Sequence, residues 1–194
     1  MNKAFQDPKL RLAREGDVPA LRQLMDAAIR RLQTAYLSPE EVTASSFVMG
    51  LDSQLIADGT YFVVEAGGRI AGCGGWSRRA TLFGGDHSAT RDAALLDPAS
   101  DPARVRAMYT HPDFTRRGVG RMILDACEAA AAKEGFQSCE LAATLAGEPL
   151  YLACGYRPIE RFTAPTPTGI DIPLVRMGKA VSVAFAGGRL DAKT

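Results

Sequence analysis

One stretch of the chain collects the residue types that bind a polyanion. Thr115-Arg-Arg-Gly-Val-Gly-Arg121 sets Arg116, Arg117 and Arg121 around Gly118 and Gly120, where a helical apolar period begins. The first amides of a helix have no intrahelical partner, and the helix dipole places partial positive charge on them. Glycines there leave the amides open to a ligand, and the guanidinium groups add full charge. A phosphate or pyrophosphate is the simplest occupant. The same residues also fit an ordinary helix start, capped by Thr115 or Asp113 and flanked by solvated arginines.

Two phosphate motifs fail here. No Gly-x-x-x-x-Gly-Lys-Ser/Thr loop occurs in the chain. The dinucleotide fingerprint Gly-x-Gly-x-x-Gly fits at Gly118 and Gly120, with Glu140 about 20 residues on. Its third glycine, however, is Ile123, whose bulk blocks close helix–strand contact, and too little chain follows for a doubly wound sheet.

A third pattern fits better. A strand, then Gln/Arg-x-x-Gly-x-Gly/Ala, then a helix resembles the acetyl-CoA-binding motif of the GCN5-related N-acetyltransferase (GNAT) family. Here it reads Thr115-Arg-Arg-Gly-Val-Gly120, with Thr115 where the family usually has Gln or Arg. After a helix and a strand, Leu150-Tyr151 and Gly155-Tyr156 resemble the family's second motif. The Asn of many members is absent upstream, where Thr144 and Leu145 stand. The resemblance covers about residues 10 to 179.

It implies acetyl transfer from the thioester of acetyl-CoA to an amine of a small molecule or peptide, by direct attack in a ternary complex. By that resemblance, the turn of Arg116, Arg117, Gly118, Val119, Gly120 and Arg121 holds the pyrophosphate. A backbone N–H among Met108, Tyr109 and Thr110 polarises the thioester carbonyl. Tyr151 matches the hydroxyl that meets the departing thiolate. A thiol titrates near about 8.5 and tyrosine near about 10, so a hydrogen bond suffices without full proton transfer. On the acceptor side the candidates are Tyr36, Trp76, Asp86 and His87, with Arg30 or Arg31 beside the first and Arg78 beside the second. Arg106 stands on the strand where some members carry a carboxylate. Glu65, Asp86, His87 and His111 remain as bases, none singled out. The alternative is a non-catalytic CoA-binding or partner-binding module on the same fold; Tyr151 is the feature that favours catalysis.

The elements that must position these residues are readable from their periods. Val105, Ala107 and Tyr109 alternate with Arg106, Met108 and Thr110 as in a strand, which Pro112 ends. Val119, Ile123, Cys127 and Ala130 form the inner stripe of the next helix, with Arg121, Asp125, Glu128 and Lys133 outward and Gly135 as its stop. Leu10–Arg14 reads as a first strand. A helix over 18–35 follows, capped by Asp17 with Pro19 inside it and with Leu21, Leu24, Met25, Ala28 and Leu32 inward. Ser38 caps a second helix from Pro39 toward Met49, and 51–58 reads as a third. Tyr61–Glu65 and Ile70–Trp76 form a hairpin over Gly67-Gly68. Gly72, Gly74 and Gly75 imply that something approaches the second strand closely. The segment 79–103 has no clear period, apart from a helical turn or two over Thr90–Leu96 and a hinge-like Gly84-Gly85-Asp86-His87. Ser138–Thr144 and Ile170–Gly178 read as strands. The fold class expected is α/β (α+β): a GNAT-like mixed, mostly antiparallel twisted sheet of about six to seven strands flanked by helices. One domain spans 1–179, with acceptor-side helices within about 10–60, the acetyl-CoA-binding strand, turn and helix at 104–135, and a weakly structured tail at 180–194.

Composition sets outer limits. The chain has 194 residues and a net charge of +1, which gives no support to a nucleic-acid role. Its four cysteines, Cys73, Cys127, Cys139 and Cys154, form no Cys-x-x-Cys pair, and it has two histidines, so no metal site is expected. No signal core and no apolar run of membrane length is present. A cytoplasmic protein that binds no membrane is expected, with the sheet edges and final strand as candidate surfaces for a homodimer.

Overall fold

A computed structural model describes residues 7–88 and 91–181. Seven strands form one sheet in the order β1-β2-β3-β4-β5-β7-β6. They are β1 (Lys9–Leu12), β2 (Tyr61–Ala66), β3 (Arg69–Ser77), β4 (Ala103–Thr110), β5 (Ser138–Thr144), β6 (Arg157–Ala164) and β7 (Ile172–Ala180). Every pairing is antiparallel except β4 with β5. The expected mixed, mostly antiparallel sheet is present. The tail from residue 182, with Gly187-Gly188, lies outside the described residues.

Helices cover both faces. On one, α1 (Val18–Leu32) packs Leu21, Leu24, Met25, Ala28 and Ile29 against Tyr61, Val63, Cys73 and Tyr109. It ends before Ala35, so Leu32 is only half-buried and Gln33 follows as a buried polar residue. Asp17 does not cap it; its carboxylate binds the Arg11 guanidinium at 2.7 and 2.8 Å and the Arg14 amide at 2.8 Å. α2 (Pro39–Ala44) has the expected Ser38 cap, with the Glu41 side chain returning to the Ser38 amide. It stops at Ala44 and gives way to a 3-10 turn over Ser45–Phe47, and α3 is short (Ser53–Ala57). On the other face, α4 (Val119–Lys133) buries Val119, Ile123, Leu124 and Cys127 against the sheet. Glu128 on this helix is not free in solvent; Lys179 reaches it at 2.6 Å. A short α5 (Glu148–Ala153) links β5 to β6.

β4 breaks the alternation expected of it. Ala107 has φ +51°, and the register with β3 shifts between Cys73 and Gly75. The extra residue of a bulge moves later side chains to the opposite face. Val105 therefore joins the α4 core, whereas Ala107 and Tyr109 pack with α1, and Met108 returns to the α4 side. The Ala107 carbonyl turned out of the ladder accepts from the Tyr61 hydroxyl at 2.8 Å.

The segment after β3 is an arm, not a helix. Arg79 bridges Leu95, Ala80 donates to Ala94 and Leu96 to Arg78, so 91–96 runs extended along 78–81; Thr90 lies outside the described residues. Arg79 binds Asp58 at 2.9 and 3.1 Å, and Arg91 binds Asp52 at 2.8 Å. Asp52, fully buried, also pairs with Arg106 of β4.

Candidate active site

β4 and β5 pair only at Ala103↔Cys139 and Arg104↔Glu140. Beyond Arg104 they part, β4 staying with β3 and β5 with β7, and a cleft of about 600 Å³ opens between them. The Arg104–Glu140 ion pair, joined by Arg176 at 2.7 Å, stands at the last pairing before the strands part. From Val105 onward the β4 edge facing the cleft has no strand partner. His111 donates its amide to Ala71 in β3, so strand alternation turns the Thr110 amide the other way, to the open edge.

The turn that follows presents its amides without a cap. A 3-10 turn over Pro112–Phe114 buries Phe114. The Thr115 hydroxyl donates to the Pro112 carbonyl at 3.2 Å. Asp113 binds Arg31 and Arg69. Neither of the expected caps serves α4. Its N-cap is Gly118, left-handed at φ +80°, with no side-chain oxygen to take the first amides. Arg116 is also left-handed, at φ +60°, which curls the turn. Such a set of open amides at a helix start fits an anion. Arg116, Gly118, Val119, Gly120 and Arg121 line the cleft. Arg121 also donates to the Ala153 carbonyl at 3.1 Å. Arg117 does not line it; its guanidinium lies over the Phe114 ring, 5.9 Å from the centroid.

The glycines serve packing as well as access. A Cβ on Gly120 would stand 2.7 Å from Leu150 Cδ2, so this glycine lets α5 approach α4. In β3, a Cβ on Gly72 would overlap Val119 Cγ1, and one on Gly74 would overlap Met108 Sδ. What approaches the second hairpin strand is thus α4 and the Met108 side chain.

Tyr151 projects from α5 into the cleft wall with its ring edge-on to Tyr156, centroids 5.9 Å apart. None of the described residues hydrogen-bonds its hydroxyl. Burial raises its pKa well above the usual tyrosine value, so it stays protonated and able to donate. The cysteines offer no thiolate at neutral pH. Burial pushes Cys73 and Cys139 up to about 12 and Cys127 well up.

The acceptor-side candidates separate. Tyr36 lines the cleft, and so do Met108, Tyr109 and Thr110. Trp76 does not: it is 2 % exposed, packed edge-on to Phe136 and covered by Arg78, which pairs with Glu134 at the far end of α4. Asp86 accepts from the Ser53 amide and hydroxyl at 2.8 and 2.9 Å, and His87 Nε2 contacts the Phe47 carbonyl at 3.1 Å. Neither lines the cleft: Asp86 is held at Ser53 of α3 and His87 at Phe47. Glu65 binds Arg11, and His111 sits between the Asp113 amide and Arg69. Two lining residues, Phe83 and Gln33, carried no sequence signal, whereas Leu150 belongs to the second motif. Phe83 of the arm lines the cleft, and Leu150 faces Gly120. Gln33, also in the wall, donates to Thr144 Oγ1 at 3.3 Å while its Oε1 is buried without a partner. Among the described residues no group of His, Cys, Asp and Glu is arranged to hold a metal ion, and no helix is long and apolar enough to cross a membrane.

Comparison with known proteins agrees with this architecture. A family model described as an acetyltransferase (GNAT) domain matches residues 57–158, more than half the chain. A GCN5-related N-acetyltransferase from Rhodopseudomonas palustris superposes with a TM-score of 0.67 at 20% identity, covering 93% of this chain and 100% of that one. The PaiA N-acetyltransferase of Thermoplasma acidophilum, solved with coenzyme A, gives 0.60 at 13% identity over 90% and 99%. YncA of Salmonella typhimurium, a putative acetyltransferase solved with acetyl-CoA, gives 0.59 at 15% identity over 96% and 99%. These likenesses show the fold. No curated protein matches by sequence.

Proposed function

The chain belongs to the GCN5-related N-acetyltransferase (GNAT) family, and on that footing we propose that it transfers the acetyl group of acetyl-CoA to an amine of a small molecule or peptide, by direct attack in a ternary complex. One observation carries the reading: the uncapped start of α4, the open edge of β4 and the Tyr151 side chain converge on a single cleft. Acetyl-CoA, when bound, supplies the activated acyl group. The amides after Gly118, with Arg116 and Arg121, are the groups to hold its pyrophosphate. The Thr110 amide on the open edge of β4 is the proposed donor to the thioester oxygen as charge develops there. Tyr151, whose hydroxyl has no hydrogen-bond partner among the described residues, is the donor for the departing thiolate. A cytoplasmic setting belongs to the same proposal, supported by four free, buried thiols.

Thermal unfolding with acetyl-CoA, CoA and an ATP control, followed by a thiol-release assay with added amines, tests it. At a dissociation constant of about 10 µM, 1 mM ligand stabilises the fold by about 2.7 kcal/mol. Both CoA forms should shift the transition, ATP should not, and thiol release should depend on an amine. Binding without amine-dependent release would return the non-catalytic module.

A further inference from the structure

Among the described residues, no carboxylate, imidazole or lysine lines the acceptor half of the cleft. Its walls include Leu32, Val48, Met49, Leu82, Phe83 and Leu174, with Gln33 and Tyr36 as polar members. Val48 and Leu174 belong to one apolar cluster, against which Phe83 packs. Phe83 also meets Phe162 with ring centroids 5.7 Å apart, so the arm closes this end against β6.

The ionisable groups that reach the cleft are Arg106, Arg116, Arg121, Tyr36, Tyr109 and Tyr151; among the described residues no Asp, Glu, His or Lys lines it. Behind the acceptor end, Asp52 is shared between Arg106 and Arg91, and Asp86 also meets Arg91 at 3.5 Å, so two carboxylates balance two guanidinium groups there. Neighbouring acids and histidines face other partners: Asp86 binds Ser53 and Arg91, His87 contacts Phe47, Asp113 binds Arg31 and Arg69, and Glu148 binds Arg161. An alkylammonium ion, with a pKa of about 10, would meet no lining carboxylate to hold its charge and no lining carboxylate or imidazole to take its proton.

We infer that the acceptor is a compact amine of low basicity on an apolar body, of the arylamine type, which enters as the free base. The inference rests on the acetyl-transfer reading above. The nitrogen lone pair attacks the thioester carbon, the C–N bond forms and the C–S bond breaks. The proton shed by the nitrogen ends on the thiolate, giving free CoA thiol, so no enzyme base is required.

The test assays the full chain with acetyl-CoA and, in parallel, 4-methylaniline, benzylamine, spermidine or a peptide with an alanine N-terminus. For 4-methylaniline, kcat/KM should stay flat from about pH 6.5 to 9.5, whereas for benzylamine it should rise about tenfold per pH unit toward its own pKa. At neutral pH the arylamine should lead. A higher neutral-pH kcat/KM for spermidine or the peptide would overturn the inference and leave acetyl transfer standing. Acetyl-CoA binding with no acceptor acetylated would overturn both. Leu82→Glu, which adds a carboxylate to the half-buried wall, should move preference toward benzylamine; an unchanged preference in a folded, acetyl-CoA-binding variant would sink the electrostatic argument.

Discussion

Gly72 of β3 lies so close beneath Val119 that a Cβ on the glycine would overlap Val119 Cγ1, with the Tyr109 carbonyl 3.0 Å away on the other side. Val119 is the first residue of α4, so the spacing between strand and helix sets the position of the open amides. Val119 is β-branched and held by the helix, and it has little freedom to yield. Gly72→Ala should cost about 1–3 kcal/mol of stability through overpacking. It should also weaken acetyl-CoA binding, because the helix start must move. Chemical unfolding and calorimetric titration on one preparation check this; lost stability with unchanged affinity would separate the strand–helix contact from the anion site.

Asp52 and Arg106 form a buried pair joining the α3 approach to the central strand, with side-chain exposures of 0% and 3%. Removing the carboxylate leaves two guanidinium groups, Arg106 and Arg91, without their shared partner. Asp52→Ala should cost about 3–5 kcal/mol, measured by urea unfolding. The double variant Asp52→Leu with Arg106→Met removes the uncompensated charge and should recover part of that loss. Full additivity of the two changes would mean the pair is not coupled.

Tyr151→Phe removes a hydroxyl that no described residue hydrogen-bonds, so stability and acetyl-CoA affinity should hold within about 0.5 kcal/mol. Turnover should fall about 10²- to 10³-fold, as for loss of one donor to a developing charge. Burial raises the Tyr151 pKa above its ordinary value, so the donating, protonated form persists as pH rises. Any alkaline loss of turnover due to this group therefore lies above about pH 10. A falling limb near neutral pH in the wild type that disappears in the phenylalanine variant would show an ionised Tyr151 instead.

The elements around the glycine turn were legible because their signals are local. The apolar period of α4, the glycine pair before it, the Ser38 cap and the Gly67-Gly68 turn each depend on neighbours within a few residues. The phase of β4 was not legible, since one bulge at Ala107 reverses which face Tyr109 occupies. Trp76 was misplaced for a related reason: nearness in sequence to the glycine strand says nothing about which end of α4 it packs on. The glycines of β3 announced a close approach, but only the packing shows that the neighbour is α4.

The sequence by itself determined the helix start, its basic glycine turn and the two motifs that announce the family, because capping and periodicity are short-range physics. The tertiary structure alone decided which groups share the cleft. Gln33 meets Thr144 across 111 residues and Asp52 meets Arg106 across 54. Such meetings depend on strand order, on where β4 parts from β5 and on one bulge, and a cleft lined by Arg106, Arg116 and Arg121 exists only once those long-range contacts are made.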